Sequence, residues 1–170
     1  MTNSYLILGG ARSGKSRRAL RLAEEIGARR VFIATAEALD DEMAARIERH
    51  KAERVRGWMT TEAPLDLVGA LQEEGRERDV FLIDCLTLWL SNLMHHGYDI
   101  DAQTERLCAV IETSSVPVIL VSNEVGLGLV PETPLGREFR DAQGRLNQAV
   151  ASVCERVEFV AAGLPIQLKG

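Results

Sequence analysis

The sequence predicts a three-layer α/β domain built on a mainly parallel β-sheet. Short apolar segments alternate with helix-like segments, which is the order that parallel strands with connecting helices require. The apolar segments are continuous rather than alternating, so both faces of each strand are expected to be buried. A glycine-rich turn joins the first strand to the first helix. The chain has 170 residues, which fits one domain spanning residues 1–170.

Five segments rich in Val, Ile, Leu or Phe are predicted as the central strands. They are "SYLIL" (residues 4–8), "RVFIAT" (30–35), "VFLID" (80–84), "VPVILVS" (116–122) and "VEFVAA" (157–162). The C-terminal "IQLKG" (166–170) is expected to add a short strand at the sheet edge.

Helices are predicted between these strands, over residues 16–26, 40–56, 65–74, 86–94, 102–113 and 137–153. The segment 40–56 is acidic at its start and basic at its end, which suits the helix dipole. Residues 123–136, "NEVGLGLVPETPLG", concentrate glycine and proline and are predicted to form a long loop. This loop leaves the carboxyl end of a predicted strand, where open α/β sheets bind ligands.

Composition narrows the class of protein. Hydrophobic residues make up 46% and charged residues 26% of the chain, which is ordinary for a globular protein. The net charge of −5 argues against extended contact with nucleic acid. Cys85, Cys108 and Cys154 are far apart and lie in apolar surroundings, which indicates reduced thiols in a cytoplasmic protein. No apolar run approaches the roughly 20 residues of a membrane span, and a signal peptide is not expected.

The segment "GGARSGKS" predicts a phosphate-binding loop. It fits the pattern G-x-x-x-x-G-K-[ST] at Gly9, Gly14, Lys15 and Ser16. The remaining members of the loop are Gly10, Ala11, Arg12 and Ser13. Backbone N–H groups and the helix N-terminus of such a loop point at the phosphates of a nucleotide. Lys15 adds positive charge near the β- and γ-phosphates, and the Ser16 hydroxyl can bind Mg²⁺.

Asp84 is a candidate for the same metal site. It ends the apolar strand "VFLID", and an acid at this place orients Mg²⁺ in other proteins with a phosphate-binding loop. The alternative is that Asp84 caps the helix that follows. The presence of the loop favours the metal role.

The segment "RIERHKAERVRGW" (residues 46–58) contains one histidine among five cationic side chains. On a helix, Arg46, His50 and Arg54 are spaced by four and share one side. Met43 and Ile47 overlap that side, so spacing by itself somewhat favours a structural place for His50. The alternative is chemical: a neutral imidazole can attack the α-phosphorus of a nucleoside triphosphate and form a phosphoramidate.

Several motifs together indicate a family. In order along the chain they are "LGGARSGKSRRA", "FIATAEALDDEMAARIERHKAER", "DCLTLWLSNL", "SNEVGLGLVPETPLGREFRDAQGRLNQ" and "VAAGLPIQLK". Over nearly its full length the chain closely resembles the bifunctional adenosylcobinamide kinase / adenosylcobinamide-phosphate guanylyltransferase family of cobalamin biosynthesis. The phosphate-binding loop is widely shared, whereas "DDEMxxRIxxH" and "NEVGxGxVPE" are specific to this family.

The resemblance implies a P-loop NTPase domain with a RecA-like core that assembles as a homotrimer. It implies phosphorylation of adenosylcobinamide with ATP or GTP, and then transfer of GMP from GTP to adenosylcobinamide phosphate. The products of the second step would be adenosylcobinamide-GDP and pyrophosphate, and Mg²⁺ would accompany the nucleotide.

The resemblance also implies a set of site residues. His50 would carry the GMP, and residues 9–16, with Lys15 catalytic, would bind the triphosphate. Further nucleotide contacts would come from Ala34, Thr35, Ala36, Lys51, Ala52, Glu53, Arg54, Glu62 and Asp84. The Glu62 carboxylate is a chemically suitable acceptor for the N1–H and N2 amino donors of guanine.

Two other functions are compatible with the motifs. A single-activity small-molecule kinase would use the phosphate-binding loop without forming a GMP–protein adduct. A RecA-type binding module would bind and slowly hydrolyse a nucleotide without an acceptor. The net charge of −5 speaks against the extended basic surface that a DNA-binding module of this type requires.

Overall fold

The computed structural model describes residues 3–37, 57–73 and 77–170. The predicted helix over residues 40–56 lies outside this part of the chain. The strands are β1 (Ser4–Gly9), β2 (Arg30–Ala34), β3 (Trp58–Glu62), β4 (Val80–Asp84), β5 (Val118–Asn123), β6 (Arg156–Ala161) and β7 (Leu164–Lys169). The helices are α1 (Lys15–Ile26), α2 (Leu67–Glu73), α3 (Leu86–His95), α4 (Ile100–Thr113) and α5 (Pro134–Val153).

Within the described residues the strands form one sheet in the order β3-β2-β4-β5-β1-β6-β7. Strands β1 to β6 pair in parallel, and β7 pairs antiparallel with β6. The strand β5 separates β1, which leads into the phosphate-binding loop, from β4, which ends in Asp84. The predicted α/β architecture with a mainly parallel sheet is confirmed.

Apolar side chains pack on both faces of the sheet, which gives the predicted three layers. On one face, Ala19, Leu22 and Ala23 of α1 cover the sheet. The opposite face is covered by α2 to α5, with Trp89 and Leu146 among the buried side chains. Across the part of the chain that the structure describes, no helix combines the length and apolarity needed to cross a lipid bilayer.

The structure adds one strand to the prediction and shifts four helix starts by one to three residues. Strand β3 was not predicted, because "WMTTE" lacks a continuous apolar run and three of its residues are only partly buried at the sheet edge. Helix α5 begins at Pro134 rather than residue 137, and the Thr133 side chain accepts a hydrogen bond from the Gly136 backbone N–H. Helix α4 begins at Ile100 rather than residue 102, with Asp99 capping it in the same way.

An aspartate ties the turn before β2 to the turn before β4. Asp79 Oδ2 accepts hydrogen bonds from the backbone N–H groups of Ala28 and Arg29, at 3.0 and 2.9 Å. The Arg29 guanidinium donates to Asp79 Oδ1 at 2.7 Å. The Arg29 side chain, followed by these backbone donors, lowers the pKa of Asp79 from 3.8 to about 2.

Gly9, the last residue of β1, stands where there is no room for a side chain. A Cβ atom at this position would lie 2.5 Å from Ser13 Oγ and 2.6 Å from the Val160 carbonyl oxygen. A Cβ atom at the next position, Gly10, would meet nothing within 4 Å. The close approach of β1 to β6 therefore requires glycine at position 9 and not at position 10.

We expect Asp79→Asn to lower the stability of the protein in a pH-dependent way. Because the folded-state pKa of Asp79 is depressed, its stabilising contribution is present above its ordinary pKa and is lost as the pH falls through about 2. The urea midpoints of the wild type and the variant should differ most near neutral pH and converge on acidification. A difference that stays constant down to about pH 2 would contradict this assignment.

We expect Gly9→Ala to reduce the free energy of unfolding by about 1–3 kcal/mol or more, because the new methyl group must displace a backbone carbonyl. Gly10→Ala is the matched control and should change the free energy of unfolding much less. Both values come from urea titrations followed by circular dichroism. Equal effects of the two substitutions would refute the close packing of β1 against β6.

Candidate functional site

The glycine-rich segment forms a compact loop between β1 and α1. Ser13 N donates to the Gly10 carbonyl at 3.3 Å, and Arg18 N donates to the Gly14 carbonyl at 3.0 Å as the helix begins. Arg12 and Gly14 adopt left-handed backbone conformations, with φ of 55° and 96°. These turns reverse the chain so that the loop surrounds the N-terminus of α1, which is the arrangement that binds phosphate groups.

The predicted catalytic lysine stands over this loop. Lys15 is largely buried, and its Nζ donates to the Gly10 carbonyl at 3.0 Å. The ammonium group is thereby held on the loop that is expected to carry the phosphates. The side-chain oxygen of Ser13 is also buried and has no hydrogen-bond partner within the described residues.

The hairpin between β6 and β7 packs against the phosphate-binding loop. Ala162 and Gly163 form its turn, both with positive φ (51° and 80°), as tight antiparallel hairpins require. The Gly163 N–H donates to the Ser13 carbonyl at 2.7 Å. A Cβ atom on Gly14 would lie 3.1 Å from the Gly163 Cα atom. The turn of this hairpin therefore contributes directly to the shape of the phosphate-binding loop.

Strand register brings the predicted acidic residues to the same edge of the sheet. Ala34 pairs with Glu62 on one side and with Asp84 on the other. Because alternate residues of a strand face opposite ways, Asp84 shares the face of Leu82, which packs with α1. Asp84 lies two strands from β1, about 10 Å in the plane of the sheet, and Glu62 lies four strands away, about 19 Å.

Asp84 does not act as the predicted alternative, a helix cap. The N-cap position of α3 is Cys85, and no side chain caps this helix end. Burial raises the pKa of the Cys85 thiol to about 11, with a further contribution from the Asp84 charge and an opposing one from Lys15. The thiol therefore stays protonated at neutral pH.

Thr35 is buried below this edge, where the end of β2 meets α3. Its hydroxyl donates to the Cys85 carbonyl at 2.7 Å and accepts from the Cys85 N–H at 2.8 Å. The Asn92 side chain donates to the Thr35 carbonyl at 2.8 Å and to the Pro64 carbonyl at 3.0 Å. The hydroxyl of Thr35 therefore joins the end of β2 to the start of α3. Its neighbours Ala34 and Ala36 are partly exposed, and a nucleotide contact by these three residues remains a prediction.

A second buried polar network, which the sequence did not reveal, lies at the end of β5. Ser122 Oγ donates to Asn147 Oδ1 at 2.7 Å, and Gln143 Nε2 donates to both, at 3.0 and 2.9 Å. Asn147 Nδ2 donates to the Asn123 carbonyl, and the Asn123 N–H donates to Thr87 Oγ1. Asn123, beside Gly9 in the sheet, is therefore held by two helices. In the sequence, the pattern that indicates this network is the pair Gln143 and Asn147, two polar residues four apart on the otherwise apolar face of α5.

The basic segment and its histidine lie outside the described residues. These are His50, Lys51, Ala52, Glu53 and Arg54. The last described residue before the segment is Glu37, beyond the carboxyl end of β2, and its carboxylate lies 3.3 Å from His96 Nε2. Among the residues that the structure does describe, no group of three or more His, Cys, Asp or Glu side chains could hold a metal ion.

Comparison with solved structures identifies the fold. A prototypical ATPase from the type III secretion system of pathogenic bacteria superimposes with a TM-score of 0.59 at 10% sequence identity. The match covers 97% of this chain and 56% of the ATPase chain. At this level of identity the similarity concerns the fold alone, a mainly parallel sheet between helical layers with a glycine-rich loop after its first strand.

Sequence comparison identifies the family. The bifunctional adenosylcobalamin biosynthesis protein CobP of Pseudomonas aeruginosa is 50% identical over 167 residues, covering 97% of this chain and 96% of the relative. The proteins named CobU from Escherichia coli and Salmonella typhimurium are 38% and 37% identical, each covering 96% of this chain and 98% of the relative. A family model described as cobinamide kinase / cobinamide phosphate guanyltransferase matches residues 5–168. With these similarities along nearly the whole chain, the protein belongs to the family of bifunctional cobinamide kinases and cobinamide phosphate guanyltransferases.

Proposed function

We propose that this enzyme phosphorylates adenosylcobinamide with ATP or GTP and then transfers GMP from GTP to adenosylcobinamide phosphate through a guanylylated His50. The observation that carries the proposal is that Lys15, Asp84 and Glu62 are spread along the carboxyl edge of one parallel sheet. Family membership supports the pair of reactions, and this alignment supports a shared nucleotide site for them. We further propose that the chain assembles as a homotrimer, as its resemblance implies.

The kinase step requires positioning more than a strong base. The aminopropanol hydroxyl oxygen attacks the γ-phosphorus, the bond from that phosphorus to the bridging oxygen breaks, and a nucleoside diphosphate leaves. Lys15 and the backbone N–H groups of residues 9–16 would stabilise the negative charge on the phosphates. A loose transition state of this kind needs little help in removing the hydroxyl proton. The nearby Glu124 carboxylate already accepts a hydrogen bond from the Gly126 N–H at 2.6 Å, so we assign it no catalytic role.

The donor atoms at the site suit Mg²⁺. Ser16 offers a hydroxyl oxygen and Asp84 a carboxylate oxygen, and Mg²⁺ prefers oxygen ligands. This ion is usually held by one or two carboxylates together with phosphates and waters, which agrees with the lack of a larger acidic cluster among the described residues. When bound with the nucleotide, the ion would neutralise charge on the phosphate oxygens.

The guanylyl step uses a different phosphorus atom. A neutral imidazole nitrogen of His50 attacks the α-phosphorus of GTP, a phosphorus–nitrogen bond forms, and pyrophosphate leaves. A phosphate oxygen of adenosylcobinamide phosphate then attacks the same phosphorus and displaces the imidazole. The cations near His50 in the sequence, including Arg46, Lys51 and Arg54, would offset the charge of the phosphates.

The width of the sheet edge suits a nucleotide laid across it. If the phosphates lie on residues 9–16 and the base reaches towards Glu62, the α-phosphate lies between them. Ala34 and Ala36 occupy this intermediate part of the edge, and the chain continues from Glu37 into the segment that contains His50. Glu62 is exposed at the end of β3 and would accept the N1–H and N2 amino donors of guanine, which adenine cannot match.

We expect His50→Asn to abolish covalent labelling of the protein by α-labelled GTP while phosphorylation of adenosylcobinamide largely persists. The imidazole is required for the phosphorus–nitrogen bond and for no bond in the kinase step. The matched control is His95→Asn, in a histidine at the end of α3 that belongs to no part of the proposed site. Undiminished acid-labile GMP on the His50 variant would refute the assignment.

We expect Lys15→Ala to reduce both activities by about 10²-fold or more, because both steps need the charge of the triphosphate stabilised. Lys169→Ala is the control, since the Lys169 ammonium donates to the Ala151 and Ser152 carbonyls at the far end of α5. Rates are measured by mass spectrometry of the cobinamide products. Loss of only one activity in the Lys15 variant would contradict a shared phosphate site.

A further inference from the structure

The loop that follows β5 carries a group of exposed apolar side chains close to the phosphate-binding loop. We call residues 124–133 the apolar loop. In it, Leu127 is 82%, Leu129 is 97% and Val130 is 66% exposed, and Leu135 in the next turn is also largely exposed. Single exposed apolar residues are normal, but four within nine positions are typical of a binding surface.

The apolar loop begins at the phosphate-binding loop itself. Asn123 pairs with Gly9 in the sheet, and the Glu124 N–H donates to the Gly9 carbonyl at 3.1 Å. Any molecule lying on the apolar loop would therefore stand beside the position proposed for the γ-phosphate. This is where the acceptor of the kinase step must place its hydroxyl group.

Hydrogen bonds hold both ends of the apolar loop while its apolar side chains stay exposed. At its start, the Glu124 carboxylate accepts from the Gly126 N–H. At its end, the Arg137 guanidinium donates to the carbonyls of Pro131 and Glu132, at 2.9 and 2.8 Å. The exposure of the leucines thus belongs to a loop with defined ends, which reduces the conformational entropy that the loop would lose on binding a ligand.

Two pockets among the described residues lie away from the phosphate-binding loop. A cavity of about 280 Å³ lies between α4 and α5, and one of about 290 Å³ lies near the start of β5, between α2 and α4. Both lie on the helical layer opposite α1, away from the phosphate-binding loop. A corrinoid is a large macrocycle with hydrocarbon faces and carboxamide side chains, so it requires a surface that is apolar at its centre and carries hydrogen-bond acceptors at its border.

From these observations we infer that the apolar loop binds the corrin macrocycle of the acceptor substrate. Leu127, Leu129 and Val130 contact the hydrocarbon face, and the exposed carboxylate of Glu132 accepts hydrogen bonds from the carboxamide groups. The macrocycle then lies beside residues 9–16 and its aminopropanol arm extends over the phosphates. This inference rests on the proposed kinase reaction at the phosphate-binding loop.

The test compares a double variant of the apolar loop with a matched pair of substitutions elsewhere. We expect Leu127→Ser with Leu129→Ser to raise the dissociation constant for cobinamide by about tenfold or more, because apolar contact area is lost. Equilibrium dialysis, followed by corrin absorbance, measures it directly. The KM for the nucleotide should change by less than about twofold. The control is Ile166→Ser with Leu168→Ser, which lie on β7 and are 54% and 59% exposed; it should leave both constants unchanged.

Further measurements separate the alternatives. Leu127→Met with Leu129→Met should keep cobinamide binding close to that of the wild type, since the surface stays apolar. An unchanged dissociation constant in the serine variant would overturn the inference. A change in the sedimentation mass of the serine variant would also overturn the inference, because it would show that the apolar loop is a contact between copies of the chain. Kinase activity that survives Lys15→Ala would instead count against the proposed function, so the two failures are distinguishable.

Discussion

The parallel pairing of the central strands is the constraint on which the site depends. Because β2, β4, β5, β1 and β6 run in one direction, their carboxyl ends emerge at one edge. The register that buries Ile7, Leu82 and Val121 between the sheet and α1 also sets the position of Asp84 relative to Gly9. A slip of one residue would turn Asp84 to the opposite face of the sheet. The burial of the apolar core therefore determines the geometry of the polar edge.

Two buried polar networks hold this edge from the side opposite α1. The hydroxyl of Thr35 bonds to both backbone groups of Cys85, and the Ser122–Gln143–Asn147 network holds the end of β5. Buried hydrogen bonds of this kind are costly to break, because an unpaired polar group in the interior loses its contact with water. They fix the backbone from which the nucleotide-facing residues extend, without using the face that the nucleotide would occupy.

The edge combines two surfaces of different chemistry. The phosphate-binding loop presents backbone dipoles and Lys15, and the apolar loop beside it presents hydrocarbon side chains to water. The two surfaces are joined at the hydrogen bond between Glu124 N and the Gly9 carbonyl. Such a pair suits a reaction between a highly charged nucleotide and a large acceptor with hydrocarbon faces, because charged groups and hydrocarbon groups each meet a chemically similar surface at adjoining positions.

The sequence by itself determined the layers and the phosphate-binding loop. Continuous apolar runs predicted the buried strands, and the pattern "GGARSGKS" predicted the loop. Both patterns are local, because they depend on residues that are neighbours along the chain. The edge strand β3 escaped prediction because its five residues, Trp58 to Glu62, owe their conformation to pairing with β2 rather than to burial. The chemical role of His50 stays a prediction, since spacing by itself somewhat favours a structural place and the residue lies outside the described part of the chain.

Only the tertiary structure decided how distant residues meet. It placed the β6–β7 turn behind Ser13, joined Thr35 to Cys85 and brought Gln143 beneath the end of β5. These contacts link residues 21 to 150 positions apart along the chain, and sequence periodicity carries no information on such pairs. They depend on the strand order, which follows from the packing of the whole sheet. The sequence thus determined which residues could bind a nucleotide, and the packing decided which of them share an edge.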